Sequence, residues 1–589
     1  MGTKGALRAL AIVAWGVVCA CGGDGGSPGD AGNAGDAGDG GPDGAGLADA
    51  SPAPDGSGSV DAGLGDAGAS ARGLRLFFTD LTSGPGTGGQ NDLGAFVTIH
   101  GIGFGATRTT STVAVGGGVV AGYPLWSPTA ITVQLGPGAQ TGDIVVHVAG
   151  KGDSNGLPFT VRSGNLYFVS ASGSDANPGT FAQPWATIPK AKNTIAAGDV
   201  AYIGTHAGDS VSQTTQDASS PYECALGMSV NDGANAGTAA MPKALVVYPG
   251  ASATIGDPVN LERGILTPAI SGTFDHWVIA GFTVRALDEA LDLEGSAQGW
   301  RVVGNDFSCP NGSGKTGCVT DGAVNPSPGL AFLGNVVHDA AANATTVTKY
   351  YHGVYFASNH QELGWNVVRN GKTCRAIQFH DTNGPNLYDL NVHDNLVFGT
   401  VCDGINFATV DPSQGPVRAY DNVIYDVGLG PDPADGSSSY AGIYVANITN
   451  TGSPGSGAVQ VYDNTLVHCG ARGGSAAGAL SVGAGPVTLN AIDNLILAAS
   501  GESYVSGDTP AAGITGSNDL FFGAGTPPAG LTASVNADPL LASVAADDFH
   551  LTAKSPAVGA GIATPALVDF DGVARAPGAF DIGAYELPR

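Results

Sequence analysis

The chain has 589 residues, more than one ordinary hydrophobic core accommodates, so two or three domains are expected. Its 94 glycines and its charged fraction of only 13% favour turns and strands over helices. The net charge of −28 argues against nucleic acid and against anionic membrane surfaces as direct partners.

The first 21 residues have the layout of an export signal. Lys4 and Arg8 precede the apolar run 9–18, which is too short for a permanent membrane helix. The run ends in VCAC (18–21), which resembles a bacterial lipoprotein box, and that resemblance implies cleavage before Cys21 and lipidation of its thiol. The alternative is a plain signal peptide that ends in cysteine. We expect an exported protein, lipid-anchored to the bacterial outer membrane or cell surface.

Two segments follow this signal. Residues 22–73 consist almost wholly of Gly, Ala, Asp, Ser and Pro, which predicts a disordered linker. Residues 74–163 contain short alternating apolar runs between turn residues, which predict a β-sandwich. Their run GAFVTIHGIGFG (94–105) resembles an immunoglobulin-like IPT/TIG domain, and this resemblance implies a spacer or a binding module.

The remainder, 164–589, repeats itself. CRAIQF (374–379) and CDGINF (402–407) are two versions of one phrase. Comparable apolar positions recur at irregular steps of about 30 residues: Leu291, Val324, Val354, Ile377, Ile405, Ile443 and Leu480. An asparagine phrase keeps pace with them: Asn305, Asn335, Asn366, Asn395, Asn422, Asn464 and Asn494. Such cycles predict a right-handed parallel β-helix with one coil per cycle and an internal asparagine ladder.

Both ends of this segment carry further signals. A short amphipathic stretch near 185–197 predicts a helix that covers the open end of the β-helix. The phrases NLYFVSASGSDANPG (165–179) and DFDGVARAPGAFDIGAYEL (569–587) resemble secreted bacterial β-helix proteins of the pectate-lyase-like superfamily. We expect the polar residues of the second phrase to lock the terminal turn: Asp569, Asp571, Arg575 and Asp581.

The cysteines suggest two disulfides. Cys374 and Cys402 occupy one position of adjacent coils, and an exported protein permits a bond between them. Cys309 and Cys318 can close a local step of nine residues. The two remaining cysteines of this segment, Cys224 and Cys469, have no obvious partner. Metal binding by cysteine is not expected, because the chain contains no CxxC pair.

Two outward columns are predicted on one sheet of the β-helix. The first is Asp292, Asn325, Tyr355, Gln378, Asn406, Tyr444 and Ser481. The second is Glu289, Gly322, His352, Arg375, Asp403 and Ala441. Aromatic rings, amides and charges at strand spacing suit a sugar chain, and Tyr355, Gln378, Asn406 and Tyr444 are the candidate substrate-binding residues. The alternative is an ordinary solvated polar face.

Two clusters suggest chemistry. The run RNGKTCRAIQFHD (369–381) concentrates basic residues, and the lyases of the resembled superfamily use an Arg or Lys to abstract the proton beside a uronate carboxylate. That resemblance makes Arg375 or Lys372 the base, assisted by His352 or His380, with Asp403 one coil from Arg375. The acidic run DEALDLE (288–294) and Asp321 offer oxygen ligands for Ca²⁺, with Glu289, Asp292 and Asp321 as candidates. A solvated acidic face is the alternative.

The sequence therefore predicts a monomeric, cell-surface, carbohydrate-binding or carbohydrate-active β-helix protein. A polysaccharide lyase acting on uronate-containing glycans, or else a glycoside hydrolase, is the enzymatic hypothesis, although the polygalacturonase signature of an Asp-Asp pair with a Gly-His-Gly is not found. A non-enzymatic adhesin or matrix-binding protein is the alternative. Its partner is a polysaccharide or cell-surface glycan, and it contacts the membrane through its lipid only.

Overall fold

The computed structural model describes residues 73–228, 236–269, 273–314, 316–322, 327–343, 350–372, 374–381, 386–430, 440–448, 454–470, 477–505 and 513–588. The predicted export signal with Cys21, nearly all of the predicted linker, and Val324 and Asn325 lie outside the described residues. Among the described residues, no helix combines the length and the apolar character needed to cross a membrane.

The first ten strands belong to the segment predicted as a β-sandwich. They are β1 (Arg75–Thr79), β2 (Ser83–Pro85), β3 (Phe96–Ile102), β4 (Thr112–Val115), β5 (Gly118–Val119), β6 (Gly122–Trp126), β7 (Ala130–Gln134), β8 (Gly142–Val148), β9 (Gly152–Asp153) and β10 (Leu157–Arg162). One sheet has the order β1-β3-β7-β6 and the other β2-β10-β8-β4-β5, with β9 on β8. Apolar residues that alternate along β3, β4 and β8 fill the space between the sheets.

The β-helix begins with β11 (Leu166–Val169), the helix α1 (Ile188–Thr194) and β12 (Val200–Ile203). Thr187 caps α1 by accepting a hydrogen bond from the Lys190 backbone N–H at 3.2 Å. Ile188 and Ala191 of this helix enter the core that runs through the β-helix. The predicted helical cover at this end is therefore present.

The next strands form successive coils. They are β13 (Ser210–Gln213), β14 (Cys224–Gly227), β15 (Lys243–Val247), β16 (Ser252–Ile255), β17 (Arg263–Thr267), β18 (Trp277–Ala280), β19 (Thr283–Arg285), β20 (Glu289–Leu293), β21 (Arg301–Val303), β22 (Asp306–Ser308), β23 (Gly317–Asp321), β24 (Ala331–Leu333), β25 (Val336–His338), β26 (His352–Phe356), β27 (Gln361–Gly364), β28 (Val367–Arg369), β29 (Ile377–Phe379), β30 (Leu390–His393), β31 (Leu396–Thr400) and β32 (Ile405–Phe407).

The remaining strands complete the coils and the tail. They are β33 (Val417–Tyr420), β34 (Val423–Val427), β35 (Ala441–Val445), β36 (Gly457–Tyr462), β37 (Thr465–Cys469), β38 (Gly478–Val482), β39 (Val487–Ile492), β40 (Leu495–Ala498), β41 (Ile514–Ser517), β42 (Leu520–Gly523), β43 (Leu531–Thr532), β44 (Val535–Asn536), β45 (Leu541–Ser543) and β46 (Asp548–Leu551). Short 3₁₀ helices cover Gln90–Asp92 and Val544–Ala546.

Three long parallel sheets build the β-helix. In the described residues one sheet has thirteen strands from β11 to β43, a second has twelve from β13 to β44, and a third has nine from β14 to β38. Most coils contribute one strand to each sheet, and the apolar residues between the sheets form one continuous core. The all-β fold predicted from the sequence, a sandwich followed by a parallel β-helix, is confirmed.

The asparagine ladder is present along its whole predicted length. From Asn335 onwards, each asparagine accepts from the backbone N–H and the side-chain Nδ2 of the asparagine one coil earlier; Asn395 Oδ1, for example, accepts from Asn366 at 3.0 and 2.9 Å. The last partner is a carboxylate, because Asn494 donates to Asp519 Oδ1 at 2.9 and 2.8 Å. These asparagines are structural, as the sequence predicts.

The residues directly before the ladder form a second strip, which we name the turn column. Its members all have positive φ: Gly304, Gly334, Trp365, Asp394, Asp421, Asp463 and Asp493. The sandwich packs on its first part, where a Cβ on Gly334 would lie 2.5 Å from Phe78 Cζ. The sandwich and the outer face of the thirteen-stranded sheet share one core, and Tyr202 Oη donates to the Phe96 carbonyl at 2.8 Å. The sandwich is thus fixed to the β-helix.

The carboxyl-terminal tail packs on the last part of the turn column. Arg575 Nη2 lies 2.5 Å from Asp421 Oδ1, and Arg575 Nη1 lies 3.1 Å from Glu586 Oε1. Asp569 accepts from the Val573 and Glu586 backbone N–H groups, and Asp581 accepts from Gly559 and Leu587. The expectation that these polar residues lock the terminal turn is confirmed.

Candidate functional site

The predicted outward columns lie on the nine-stranded sheet. Strand register places Asp292 beside Thr320, and the same line continues through five further coils: Tyr355, Gln378, Asn406, Tyr444 and Ser481. The apolar residues on either side of each member point into the core, except that Thr320 is followed by the buried Asp321. We name the line from Thr320 to Ser481 the outer row. It crosses six consecutive coils.

One coil of the predicted alignment is wrong. Leu291 pairs with Val319, and Val319 pairs with Val354, so Val319 takes the place predicted for Val324. Thr320 accordingly stands where Asn325 was predicted, and Gly317, not Gly322, precedes His352 in the second column. The error arises because Val319 and Val324 both fit the repeating apolar pattern. Only the pairing of the backbones shows that Val319 is the residue aligned with Leu291 and Val354.

Three rings meet near the centre of the outer row. The His352 and Tyr355 rings are stacked with centroids 5.6 Å apart, and Tyr355 Oη lies 3.4 Å from His380 Nδ1. His352 is buried, and burial lowers its pKa well below the usual value, with the Arg375 charge acting in the same direction. His352 is therefore neutral at neutral pH. The fold thus brings together three residues that the sequence predicts for the site.

Arg375 lies beside this ring cluster and is paired. Its Nε lies 3.2 Å from Asp403 Oδ2 across neighbouring coils. Asp403 also accepts from Asn406 Nδ2 at 2.7 Å and from the Ala441 backbone N–H at 2.8 Å. Burial raises the pKa of Asp403, and the Arg375 charge opposes that shift. An arginine paired in this way is a poor proton acceptor. It is already protonated, and loss of its charge would leave the buried Asp403 carboxylate without a partner.

Buried polar atoms on the outer row and on the second column beside it lack hydrogen-bond partners among the described residues. They are His352 Nδ1, Gln378 Oε1 and Asn406 Oδ1, from three successive coils. Gln378 is 3% exposed and Asn406 is fully buried, whereas Arg375, His380 and Tyr444 at the margin are half-buried. A buried polar atom left unpaired costs about 1–3 kcal/mol. Such atoms in one line therefore favour a polar ligand.

The acidic cluster surrounds an arginine that the sequence reading missed. Arg263 Nε lies 2.9 Å from Glu289 Oε2 and 2.7 Å from Asp292 Oδ2. Burial raises the pKa of both carboxyls, strongly for Asp292, and repulsion from neighbouring carboxylates adds to the shift while Arg263 opposes it. The phrase RGIL at 263–266 was the available signal, since Ile265 pairs with Leu291 one coil later.

These contacts do not fit a Ca²⁺ site. Arg263 occupies the position between Glu289 and Asp292 that a cation would need, while Asp321 accepts from the Ala357 backbone N–H and from Gln361 Nε2, both at 2.8 Å. Within the described part of the chain, no group of three His, Cys, Asp or Glu residues is arranged to hold a metal. The calcium hypothesis therefore stays a prediction, and no chemistry is assigned to it.

The basic run 369–381 is divided by the fold. Arg369 lies on β28 in the twelve-stranded sheet, whereas Arg375 and His380 flank β29 in the nine-stranded sheet. Lys372 is exposed, and its backbone N–H donates to the Ala340 carbonyl. Among the described residues, no ion pair joins its ammonium group to the ring cluster. Closeness in sequence was misleading here, because each coil turns a corner between these two strands.

Of the two disulfides predicted from the sequence, the structure contains one. The disulfide between Cys309 and Cys318 is present. The predicted disulfide between Cys374 and Cys402 is wrong in this structure, although the two buried thiols are neighbours. The Cys374 thiol is directed at the Tyr440 hydroxyl, with sulfur and oxygen 3.7 Å apart. Cys224 and Cys469 are buried thiols.

A cleft of about 70 Å³ lies away from the outer row, where the sandwich, the turn column and the tail meet. Its walls are mainly apolar, with Phe77, Trp365 and Phe570 among them. The Asp394 carboxylate at its edge is already bonded to His393 Nδ1 at 2.7 Å. The outer row is the stronger candidate site, because unpaired buried atoms lie on or beside it in three successive coils, whereas among the described residues the cleft is lined by one such atom, Trp365 Nε1.

Comparison with known proteins agrees with this architecture. Residues 81–161 match the family model of the IPT/TIG domain, which confirms the resemblance predicted for the sandwich. The sequence matches no curated protein.

Similar solved structures include several β-helix enzymes. Pectate lyase Pel9A is 12% identical with a TM-score of 0.48, over 72% of this chain and 96% of that one. A rhamnogalacturonan lyase is 14% identical with a TM-score of 0.36, over 60% and 87%. An alginate lyase from Paenibacillus sp. str. FPU-7 is 13% identical with a TM-score of 0.32, over 59% and 94%. At such low identity and TM-score we draw nothing about activity from them.

Proposed function

We propose that this protein binds a polysaccharide along the outer row of the nine-stranded sheet. The observation that carries this proposal is the line of buried polar atoms without partners, His352 Nδ1, Gln378 Oε1 and Asn406 Oδ1. Hydroxyl groups of a sugar chain would satisfy them, and the Tyr355 and Tyr444 side chains supply aromatic surface and further hydroxyls. Successive coils are about 4.8 Å apart, a spacing comparable to one pyranose unit.

Binding is tested by calorimetry of the purified protein against a panel of neutral and uronate-containing polysaccharides. Gln378→Ala and Tyr355→Phe should each weaken binding by about tenfold, which corresponds to one lost hydrogen bond. Asn391→Ala is the matched control, since Asn391 is a half-buried polar residue on the thirteen-stranded sheet. No binding to any polymer, or equal loss in the control, would sink the proposal.

Cleavage by β-elimination is the second candidate function. It is favoured by one observation, the approach of Tyr355 Oη to His380 Nδ1 at 3.4 Å beside the neutral His352. In this arrangement His352 is a better base than Arg375 for the proton beside the uronate carboxylate. The Tyr355 hydroxyl can donate a proton to the leaving oxygen and recover one from His380. Arg375 and Asp403 act by holding neighbouring coils in position. Lys372 has no assigned part.

The test for cleavage is the absorbance of unsaturated uronates during incubation with uronate polymers, with and without chelator. His352→Ala and His380→Ala should each abolish any rise, whereas Lys372→Ala should leave it unchanged. Binding without any cleavage, by this assay or by release of reducing ends, would correspond to the non-enzymatic surface binder that the sequence left open.

We further propose that the mature protein is lipid-anchored at Cys21 on the cell surface. The support is the sequence VCAC after a short apolar run. Metabolic labelling with a fatty acid should mark the protein and should fail for Cys21→Ser. Unchanged labelling of that variant would move the lipid to Cys19, and no labelling of the original protein would leave a plain export signal.

A further inference from the structure

The outer row carries no charge over six consecutive coils. Its members offer only hydroxyl, amide and aromatic groups: Thr320, Tyr355, Gln378, Asn406, Tyr444 and Ser481. Five steps between coils give a length of about 24 Å. A charged residue, Asp292, appears only one coil beyond Thr320. A ligand lying along this row therefore meets hydrogen-bonding groups without a net charge.

The arginines beside the row are already neutralised by carboxylates. Arg375 pairs with Asp403, and Arg263 pairs with Glu289 and Asp292 at 2.9 and 2.7 Å. For Arg375 to bind a ligand carboxylate instead, Asp403 would be left buried without its partner, which is unfavourable. The two arginines beside the row that could recognise a uronate carboxylate are thus occupied within the protein.

The unpaired atoms of the row also have the wrong polarity for a carboxylate. Asn406 Nδ2 donates to Asp403, which fixes the side chain so that Oδ1 remains as a hydrogen-bond acceptor. Gln378 Oε1 is an acceptor as well. An acceptor needs a donor from the ligand, and sugar hydroxyls are donors, whereas an ionised carboxylate has only lone pairs to offer.

From these contacts we infer that the ligand of the outer row is a neutral, hydroxyl-rich glycan and not a polyuronate. This inference rests on the proposed glycan-binding function and specifies its substrate class. It also sets a direction for the choice between the two candidate functions, because β-elimination requires a uronate. The overall charge of −28 acts in the same direction, since it repels polyanionic chains at long range.

The test compares each uronate polymer with its own carboxyl-reduced form, so that linkage and length stay constant. Polygalacturonate and alginate, their reduced products, and neutral glucans, galactans and xylans are titrated into the protein at low and high ionic strength. We expect the protein to bind at least one neutral polymer about tenfold or more tightly than any uronate polymer, with little dependence on salt.

Three outcomes are distinguishable. Tighter binding of a uronate polymer than of its reduced form, weakened by salt, would overturn the neutral-glycan inference and keep the proposed function. Binding of no polymer would remove both. Preference for a neutral polymer that Gln378→Ala abolishes and Asn391→Ala preserves would establish both the site and the substrate class.

A charge variant sharpens the result. Asp403→Asn keeps the size of the side chain and removes the negative charge that neutralises Arg375, although its single amide oxygen can accept from the Ala441 N–H or from Asn406 Nδ2 but not from both. This variant should gain affinity for uronate polymers by about tenfold, in a salt-dependent manner. Unchanged selectivity in a folded Asp403→Asn protein would contradict the role assigned to this ion pair. If that variant does not fold, Gln378→Lys, which places a cation in the row itself, serves the same purpose.

Discussion

Single asparagines hold neighbouring coils together by satisfying several backbone and side-chain groups at once. Asn395 donates to the Leu363 carbonyl and to Asn422 Oδ1, both at 2.9 Å, and accepts two hydrogen bonds from Asn366. All of these groups are buried, so removal of one side chain leaves several of them without partners. The sequence showed this ladder because each asparagine sits at a fixed place in its cycle.

Asn395→Ala should therefore lower the free energy of unfolding by about 2–4 kcal/mol, the cost of unpaired buried polar groups. Asn391→Ala, four residues earlier on the outer face of the same coil, should change it by no more than about 0.5 kcal/mol. Chemical denaturation followed by circular dichroism compares the two. Equal effects would mean that the ladder does not carry the stability assigned to it.

At the scale of elements, the turn column decides which segment covers which part of the β-helix. At Gly334 the absence of a side chain lets the sandwich pack directly on the backbone of the turn column. Further along, Asp421 and Asp463 form ion pairs with Arg575 of the tail. The local sequence does not predict which part of the turn column contacts the sandwich and which part contacts the tail. A glycine and an aspartate before the ladder asparagine adopt the same positive φ. The sandwich was predicted from its own strands, but its attachment to the thirteen-stranded sheet was not.

Gly334→Ala should loosen the sandwich, because the new Cβ would lie 2.5 Å from Phe78 Cζ in addition to the strain of φ near 62°. Gly501→Ala has a similar strain, with φ near 92°, but open space around the new Cβ. Limited proteolysis should release the sandwich faster from the first variant than from the second. Identical digestion patterns would show that the contact with Phe78 does not hold the two together.

At the scale of the whole molecule, the tail depends on one buried arginine. Arg575 compensates Asp421, Asp463 and Glu586 at distances of 2.5 to 3.6 Å. Arg575→Ala would leave these buried carboxylates without their cation and should cost about 3–5 kcal/mol at neutral pH. The melting temperature of this variant, compared with that of the exposed tail control Lys554→Ala, checks the effect. The loss should shrink in acid, where the carboxyls are protonated; a loss independent of pH would contradict it.

The molecule should also become more stable as the pH falls from about 8 to about 5. Burial raises the pKa of Asp321 and Asp519 to about 7 and that of Asp493 and Asp569 to about 8, from an ordinary value of 3.8. A carboxyl whose pKa is raised on folding contributes stability below pH 3.8 and loses it as the pH rises through the folded value. In strong acid the pKa of Asp306, lowered to about 2 chiefly by its contacts with His338 and Arg285 against the effect of burial, reverses the trend.

Melting temperatures measured from pH 5 to pH 9 test this slope. Asp519→Asn removes one of these four carboxyls, the one that ends the ladder, and should flatten the curve between about pH 4 and pH 7. Each group contributes at most about 1.4 kcal/mol per pH unit across its window. A melting temperature that rises from pH 5 to pH 8 would show that these carboxyls are ionised in the folded protein at little cost.

The sequence alone determined the architecture, because a β-helix repeats one packing problem per coil and therefore repeats its residues. The aligned apolar positions, the asparagine ladder, the covering helix and the sandwich follow from local pattern. The tertiary structure decided four features that the pattern does not encode. They are the alignment of Val319 with Leu291, the position of Arg263 between Glu289 and Asp292, the reduced thiols of Cys374 and Cys402, and the division of the basic run between two sheets. These features depend on backbone register and on residues about 30 positions apart in the sequence. Whether a charged side chain is paired or available to a ligand is known only once its neighbours in space are known.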